Sequence, residues 1–245
     1  MTALRWFDMI RVINLPSRPD RRRDMQRELD QLGLGNDSRV CFVDGIVVDD
    51  PAPFRLIGER GVFLSHLSIL REAAAAGSSV LILEDDVDFA SAASEWRPPA
   101  GCDIAYGGYS AFDPADPATS DIVGAHCMGF SAKAARALVL YLERLLTLES
   151  PPPIDGAYVW FRREFPGYAT SFADPVIAEQ RPSRSDIAGS GLFDRIVVLR
   201  PLLNFGRTVK RSLARGTLSF GLREAILVSA VGIVVTALVA WSETH

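Results

Sequence analysis

Residues 80–89 read VLILEDDVDF, in which four apolar residues run directly into four carboxylates within five positions. A short apolar run of that kind is a strand driven into a core. Ending such a strand in Glu84, Asp85, Asp86 and Asp88 gathers like charges that repel one another, so either solvent or a cation must compensate them. Residues alternate faces along an extended chain, which points Glu84 and Asp86 one way and Asp85 the other unless a turn intervenes.

Around this stretch, strand-like and helix-like segments alternate over residues 1–180, the pattern of an α/β domain with a mostly parallel central sheet. MIRVIN at residues 9–14 is a first strand stopped by Pro16. Residues 20–34 form an amphipathic helix carrying Met25, Leu29, Leu32 and Leu34, closed by Gly33 or Gly35. Residues 39–43 and 79–83 make two further strands, separated by a helix over about 61–76 whose AAAA run favours helix. Residues 102–106 and 125–130 also read as strands, and residues 131–148 as a helix N-capped by Ser131. After Asp174 the pattern dissolves into EQRPSRSDIAGSG, suited to a mobile loop. With 245 residues, 48% of them hydrophobic, the chain can bury one substantial core. That core is expected within residues 1–190.

The net charge of −4 conceals an asymmetry. Residues 195–223 hold seven basic and no acidic side chains, while the body before them is strongly acidic. An acidic body argues against a nucleic-acid platform. The basic block, residues 191–223, leads into AILVSAVGIVVTALVAW at residues 225–241, which carries no charge on any face. At 1.5 Å per residue that segment spans about 25 Å, near the lower limit for a bilayer core of about 30 Å. A buried core helix is the competing reading of so short a run, but the preceding positive charges favour a C-terminal membrane anchor with the body on the cytoplasmic face of the inner (plasma) membrane. The N-terminus lacks the apolar run of a cleaved signal. Cys41, Cys102 and Cys127 form no CxxC pattern and are read as buried small hydrophobes in a reducing compartment.

Ligands of a parallel α/β sheet bind at the carboxyl ends of its strands. Glu84 and Asp86, one residue apart at such an end, could share a hard divalent cation such as Mg²⁺ or Mn²⁺, or they could be a solvated loop. VINLPSRPDRRRDM places Arg18, Arg21, Arg22 and Arg23 at the start of a helix just after the first strand, where backbone N–H groups favour anions. Alone, that run reads as a solvated helix face; beside a metal-binding strand end it gains meaning, because a nucleotide diphosphate needs both partners. GERGVFLSHLSIL adds Ser65 and His66, of which a lone histidine is ordinarily structural.

Taken in order, INLPSRPDRR, GERGVFLSHLSIL, VLILEDDV, GAHCMGFSAKAARAL, PPID and DPVIAEQRPSRSDI resemble glycosyltransferase family 25, the lipopolysaccharide galactosyltransferase type. The resemblance covers about residues 10–187. It implies a GT-A-like single domain, a UDP-sugar donor that is usually UDP-galactose, a Mn²⁺ or Mg²⁺ cofactor and inversion at the anomeric carbon. It carries over Asn14, Arg18 and Arg21 to the nucleotide, Gly61, Ser65 and His66 to the G..SH motif, and Glu84, Asp85 and Asp86 to the acidic metal motif. Gly124 and His126 fall behind the donor sugar, Asp155 near the acceptor, and Gln180, Ser185 and Asp186 on the Q....SDI pattern. Val62 stands where the family commonly has cysteine, and the apolar tail lies outside its motifs.

Metal contacts are then expected from Glu84 and Asp86, with Asp85 as a ligand or supporting partner and Asp88 as a solvated residue or cap. Asp155, after the stiff PPP run and before GAYVWFRREF, is expected either as a rigid N-cap that serves as catalytic base or as a cap alone. The acceptor would be a cell-surface glycan or a glycolipid. A sugar-nucleotide hydrolase or nucleotidyltransferase, or a non-catalytic membrane-tethered nucleotide-binding module, would use the same acids.

Overall fold

The computed structural model describes residues 3–181. The basic block, the candidate anchor at 225–241, Ser185 and Asp186 lie outside the described residues. Within them the chain runs β1 (Met9–Asn14), α1 (Pro19–Gln31), β2 (Val40–Asp44), α2 (Ile57–Ala76), β3 (Val80–Glu84), β4 (Val87–Phe89), β5 (Ile104–Ala111), β6 (Ile122–Phe130), α3 (Ala132–Leu145), α4 (Ile154–Glu164), β7 (Thr170–Phe172) and β8 (Ala178–Gln180).

Six strands form one sheet in the order β2-β1-β3-β6-β5-β7. β1 pairs in parallel with β2 and β3, and β5 with β7, while β6 is antiparallel to both β3 and β5. All strands but β6 therefore run one way, which gives the mostly parallel sheet expected from the alternation.

The apolar run VLIL is continuous because both faces of β3 are covered. Val80 and Ile82 join Phe63, Leu67 and Leu70 of α2, Leu138 and Leu142 of α3 and Tyr158 and Phe161 of α4 on one face. Leu81 and Leu83 join Ile10 and Val12 of β1 and Met25 and Leu29 of α1 on the other. All four of these apolar residues are fully buried, each worth about 2 kcal/mol of transfer free energy. Truncating Leu81 to Ala would cost about 3 kcal/mol.

Helix ends follow local chemistry. Ser131 caps α3, its hydroxyl accepting from the Ala134 N–H at 3.0 Å. α1 stops at Gln31, short of residue 34, because Gly33 turns left-handed (φ 68°) and the Leu34 N–H reaches back to the Leu29 carbonyl at 2.8 Å. α2 begins at Ile57, four residues before its expected start, after the Glu59 carboxylate accepts the Leu56 N–H.

Several expectations need correction. The stretch after Asp174 is not wholly loop: β8 pairs antiparallel with β4, Val87 opposite Gln180 and Phe89 opposite Ala178. Strands of three residues leave no periodicity to detect. Asp88, expected as a solvated residue or cap, is a buried member of β4 whose carboxylate accepts from Arg181 Nε at 2.8 Å. Cys41 is exposed on edge strand β2, whereas Cys102 and Cys127 are buried as expected. Among the described residues no helix is long and apolar enough to cross a membrane.

Candidate functional site

The carboxyl ends of β1 and β3 open into a cleft of about 190 Å³, bounded by Arg21, Ile46, Ile57, Gly61, Ser65, Glu84, Asp85, Asp86 and Gln180 among others. A turn at Asp85 and Asp86 follows β3, so strict alternation ends at Glu84 and all three acids reach the cleft. They divide by partner. Asp85 accepts from Asn14 Nδ2 at 2.6 Å and from Arg21 at 3.1 Å. Glu84 lies with its Oε1 3.8 Å from His66 Nε2. Asp86 Oδ2 stands 3.3 Å from Gln180 Nε2 and 3.5 Å from Arg21, while its Oδ1 is buried without a hydrogen-bond partner.

Electrostatics separate the two outer acids. Burial, then the charges of Glu84 and Asp85 against the opposing pull of Arg21, pushes the Asp86 carboxyl up to about 7. Burial also presses on Glu84, but His66, His126 and Arg21 together outweigh it and leave that carboxyl below its ordinary value. Asp86 is therefore the acid most in need of a cation, and Glu84 its ionised neighbour. Asp85 is already compensated by Arg21.

Of the arginine run, Arg21 alone enters the cleft lining. Arg18 directs its guanidinium to Asp20, at 3.1 and 2.9 Å, and contributes its backbone carbonyl to Asn14. Arg22 lies over the Phe42 ring at 4.3 Å, and Arg23 is exposed. The helix thus presents Arg21 inward and Arg22 and Arg23 outward, as a 3.6-residue period requires, while Arg18 stands before its first turn.

Gly61 and Ser65 fasten the loop after β2 to α2. The Ser65 hydroxyl donates to the Gly61 carbonyl at 2.7 Å and accepts the Ile46 N–H at 2.9 Å. A Cβ on Gly61 would stand 2.5 Å from the Ile46 carbonyl oxygen, so glycine is what lets the loop backbone approach. His66 is fully buried and meets the cleft through Glu84; its Nδ1 is 2.9 Å from the Tyr158 hydroxyl.

His126 on β6 is buried, its Nε2 3.0 Å from the Ala178 carbonyl, which ties β6 to β8. Asp155 is corrected as an N-cap. Pro153 holds that position without a side-chain cap bond, and Asp155 sits in the first turn of α4. Its carboxylate instead accepts the Gly124 N–H at 3.1 Å and the Gly156 N–H at 2.8 Å, beside β6 rather than in the lining of the main cleft.

Two residues at this site had escaped the sequence reading. Arg181 donates its backbone N–H to the Asp86 carbonyl at 2.6 Å and its side chain to Asp88, Val87 and Asp24, clasping the acidic turn. A basic residue directly after Gln180, opposite a chain segment of unbalanced acids, was the available signal. Tyr158 gave none, since a tyrosine on the apolar face of a helix reads as core.

Among the described residues no group of three or more His, Cys, Asp or Glu side chains is arranged as a metal-holding cluster. The fit for a divalent cation is the two-carboxylate kind: Glu84 and Asp86 both face the cleft, Asp86 has an orphaned buried oxygen, and Asp85 is occupied elsewhere. Hard cations that keep water or phosphate ligands accept so sparse a set.

No family model matches the chain. Among solved structures, the fold is similar to a glycosyltransferase involved in the glycosylation of the major capsid of PBCV-1, with a TM-score of 0.46 and 9% identity over 71% of this chain and 93% of that one. The chain is 38% identical over 104 residues to inactive glycosyltransferase 25 family member 3 of Homo sapiens. That match takes in 35% of this chain and spans only 17% of the human protein's length. That partial match supports the resemblance to glycosyltransferase family 25 over a segment of the chain.

Proposed function

We propose that this chain is a metal-dependent inverting glycosyltransferase of GT-A type. It moves a hexose, galactose by the family resemblance, from a UDP-sugar to a cell-surface glycan or lipid-linked acceptor. The observation that carries the reading is the cleft at the ends of β1 and β3, where Asp86, with a buried, unsatisfied oxygen, shares the lining with Glu84 and stands beside an arginine. A nucleoside diphosphate with its cation answers both charges at once.

Glu84 and Asp86 would hold Mn²⁺ or Mg²⁺. When bound, the cation neutralises charge on the departing diphosphate. Arg21 adds a fixed positive charge on the same side and, by compensating Asp85, leaves that carboxylate out of the coordination. Asn14 holds Asp85 in place. Asp155 serves as base: two backbone N–H groups orient its carboxylate, and a free lone pair takes the acceptor hydroxyl proton. The acceptor oxygen bonds to the anomeric carbon as the bond from that carbon to the diphosphate breaks. Residues 225–241 anchor the protein at the cytoplasmic face of the plasma membrane, which brings a lipid-borne acceptor near.

Titration calorimetry with UDP in the presence and absence of Mn²⁺, beside a radiolabelled UDP-galactose transfer assay, tests the reading. Binding that requires the cation and is lost in Asp86→Ala is expected. UDP binding indifferent to both would overturn it. A second reading, a non-catalytic nucleotide-binding module, draws on Asp155 standing outside the main cleft lining and on the human relative, whose name calls that protein inactive. Cation-dependent binding without transfer or hydrolysis would favour it. Free sugar released without dependence on acceptor would mark a hydrolase.

A further inference from the structure

A buried line of three side chains runs from α4 through α2 to the end of β3. The Tyr158 hydroxyl lies 2.9 Å from His66 Nδ1, and His66 Nε2 lies 3.8 Å from Glu84 Oε1. Tyr158 is 1% exposed and His66 fully buried. The tyrosine ring is fixed by Phe130, with ring centroids 5.0 Å apart, and by the His66 ring at 5.9 Å. Nothing in the acid-binding chemistry of the cleft requires a tyrosine here, yet an apolar residue of the same shape would leave His66 Nδ1 buried without a partner.

The proton count along this line decides its direction. Burial raises the Tyr158 phenol well above its ordinary value, so it keeps its hydrogen. Among the described residues His66 Nδ1 is the hydrogen-bond partner of that hydroxyl. A phenol donating to Nδ1 makes Nδ1 the unprotonated nitrogen, and the ring proton then sits on Nε2. His66 Nε2 is buried and has no hydrogen-bond partner at its present separation. An N–H there faces an anionic carboxylate and gains by approaching it; a lone pair there would repel it.

We infer that Tyr158 is a positioning residue: its hydroxyl fixes His66 as the Nε2–H tautomer, and His66 in turn orients the Glu84 carboxylate toward the cleft. This rests on the proposed cation site only for its consequence, since the tautomer is a property of the protein without ligand. Outer partners of a metal-binding group typically change affinity by about 10- to 100-fold when removed.

The test uses the ¹⁵N-labelled full chain at one fixed pH. With three histidines in the sequence, His66→Gln identifies the His66 signals in a long-range ¹H–¹⁵N correlation spectrum. Wild type is expected to show the Nε2–H pattern. Tyr158→Phe, which removes one oxygen, is expected to lose that pattern in favour of Nδ1–H or a mixture. Near-ultraviolet circular dichroism confirms that the variant is folded, and Tyr158→Leu, which also removes the hydroxyl, serves as the replacement if Phe fails to fold. Mn²⁺ affinity, measured by electron paramagnetic resonance in the presence of UDP, is expected to fall about tenfold in Tyr158→Phe. An Nδ1–H pattern in wild type, or the same tautomer with and without the hydroxyl, would overturn the inference. So would unchanged Mn²⁺ affinity in a variant whose tautomer had changed. If wild type shows Nε2–H, loses it in Tyr158→Phe and binds no Mn²⁺, the tautomer assignment stands and the cation site fails.

Discussion

Arg21 and Asp85 meet at 3.1 Å with side chains only 11% and 8% exposed. The same guanidinium stands 3.5 Å from Asp86, so one cation serves two buried acids. Removing one partner of a buried pair strands the other charge, at a cost of about 3 kcal/mol or more. Arg21→Ala should lower the free energy of unfolding by at least about that amount in urea titrations at neutral pH. A loss below about 1 kcal/mol, the range of surface pairs, would mean that water already compensates the acids.

Asp86 predicts how stability depends on pH without any cation. Its folded carboxyl lies near 7, above the ordinary 3.8. An acid raised in this way favours folding while protonated; that contribution is whole below the ordinary value and is lost as pH climbs through about 7. Chemical denaturation of the cation-free protein between pH 4 and 8 should therefore show stability falling with rising pH, and Asp86→Asn should flatten the slope. An equal slope in both proteins would assign it elsewhere.

Gly61→Ala should be destabilising by about 1–3 kcal/mol, the usual cost of forcing an atom into a packed site. The clash is with the Ile46 backbone, which cannot rotate aside as a side chain could. Because Ile46 also lines the cleft, the same substitution should weaken UDP binding, which calorimetry would detect. Ser65→Ala, which keeps the space but removes two hydrogen bonds, should cost about 1–2 kcal/mol. Reversal of that order would locate the constraint in the hydroxyl rather than the close approach.

Asp155→Asn should retain UDP and Mn²⁺ binding and remove turnover. Its amide still offers one oxygen to the two N–H groups of Gly124 and Gly156, so a stability loss of about 1 kcal/mol is expected alongside. Full turnover in this protein, measured by sugar transfer at saturating donor, would rule out Asp155 as the base.

What could be read without coordinates follows the range of the forces involved. VLIL announced a strand driven into the core, and Ser131 announced a helix start, because burial and capping act over a few neighbouring residues. The acids emerged from β3 as expected, with Asp85 set apart from Glu84 and Asp86, yet the partners that divide them could not be read. Their difference lies in Asn14, Arg21 and Gln180, none of them local. Asp88 was misjudged for the same reason: its partner, Arg181, stands 93 positions away. The reversal of β6 was hidden too, since strand direction depends on how connections cross the sheet rather than on side-chain pattern. Arg18 and Arg21 looked alike in sequence, but Arg18 stands before α1, where its guanidinium turns to Asp20, while Arg21 on the first turn reaches Asp85.

The β4–β8 pairing bears on the order of synthesis. Gln180 and Arg181 grip Asp86 and Asp88 across 94 and 93 positions. A nascent chain therefore exposes its acidic turn unclasped, and the edge of β4 bare, until nearly the whole described domain has left the ribosome. Loop closure over that separation comes late in folding. Any reactivity of the cleft is thereby withheld from incomplete chains, and a translation stall before residue 178 would yield a sheet without a finished site.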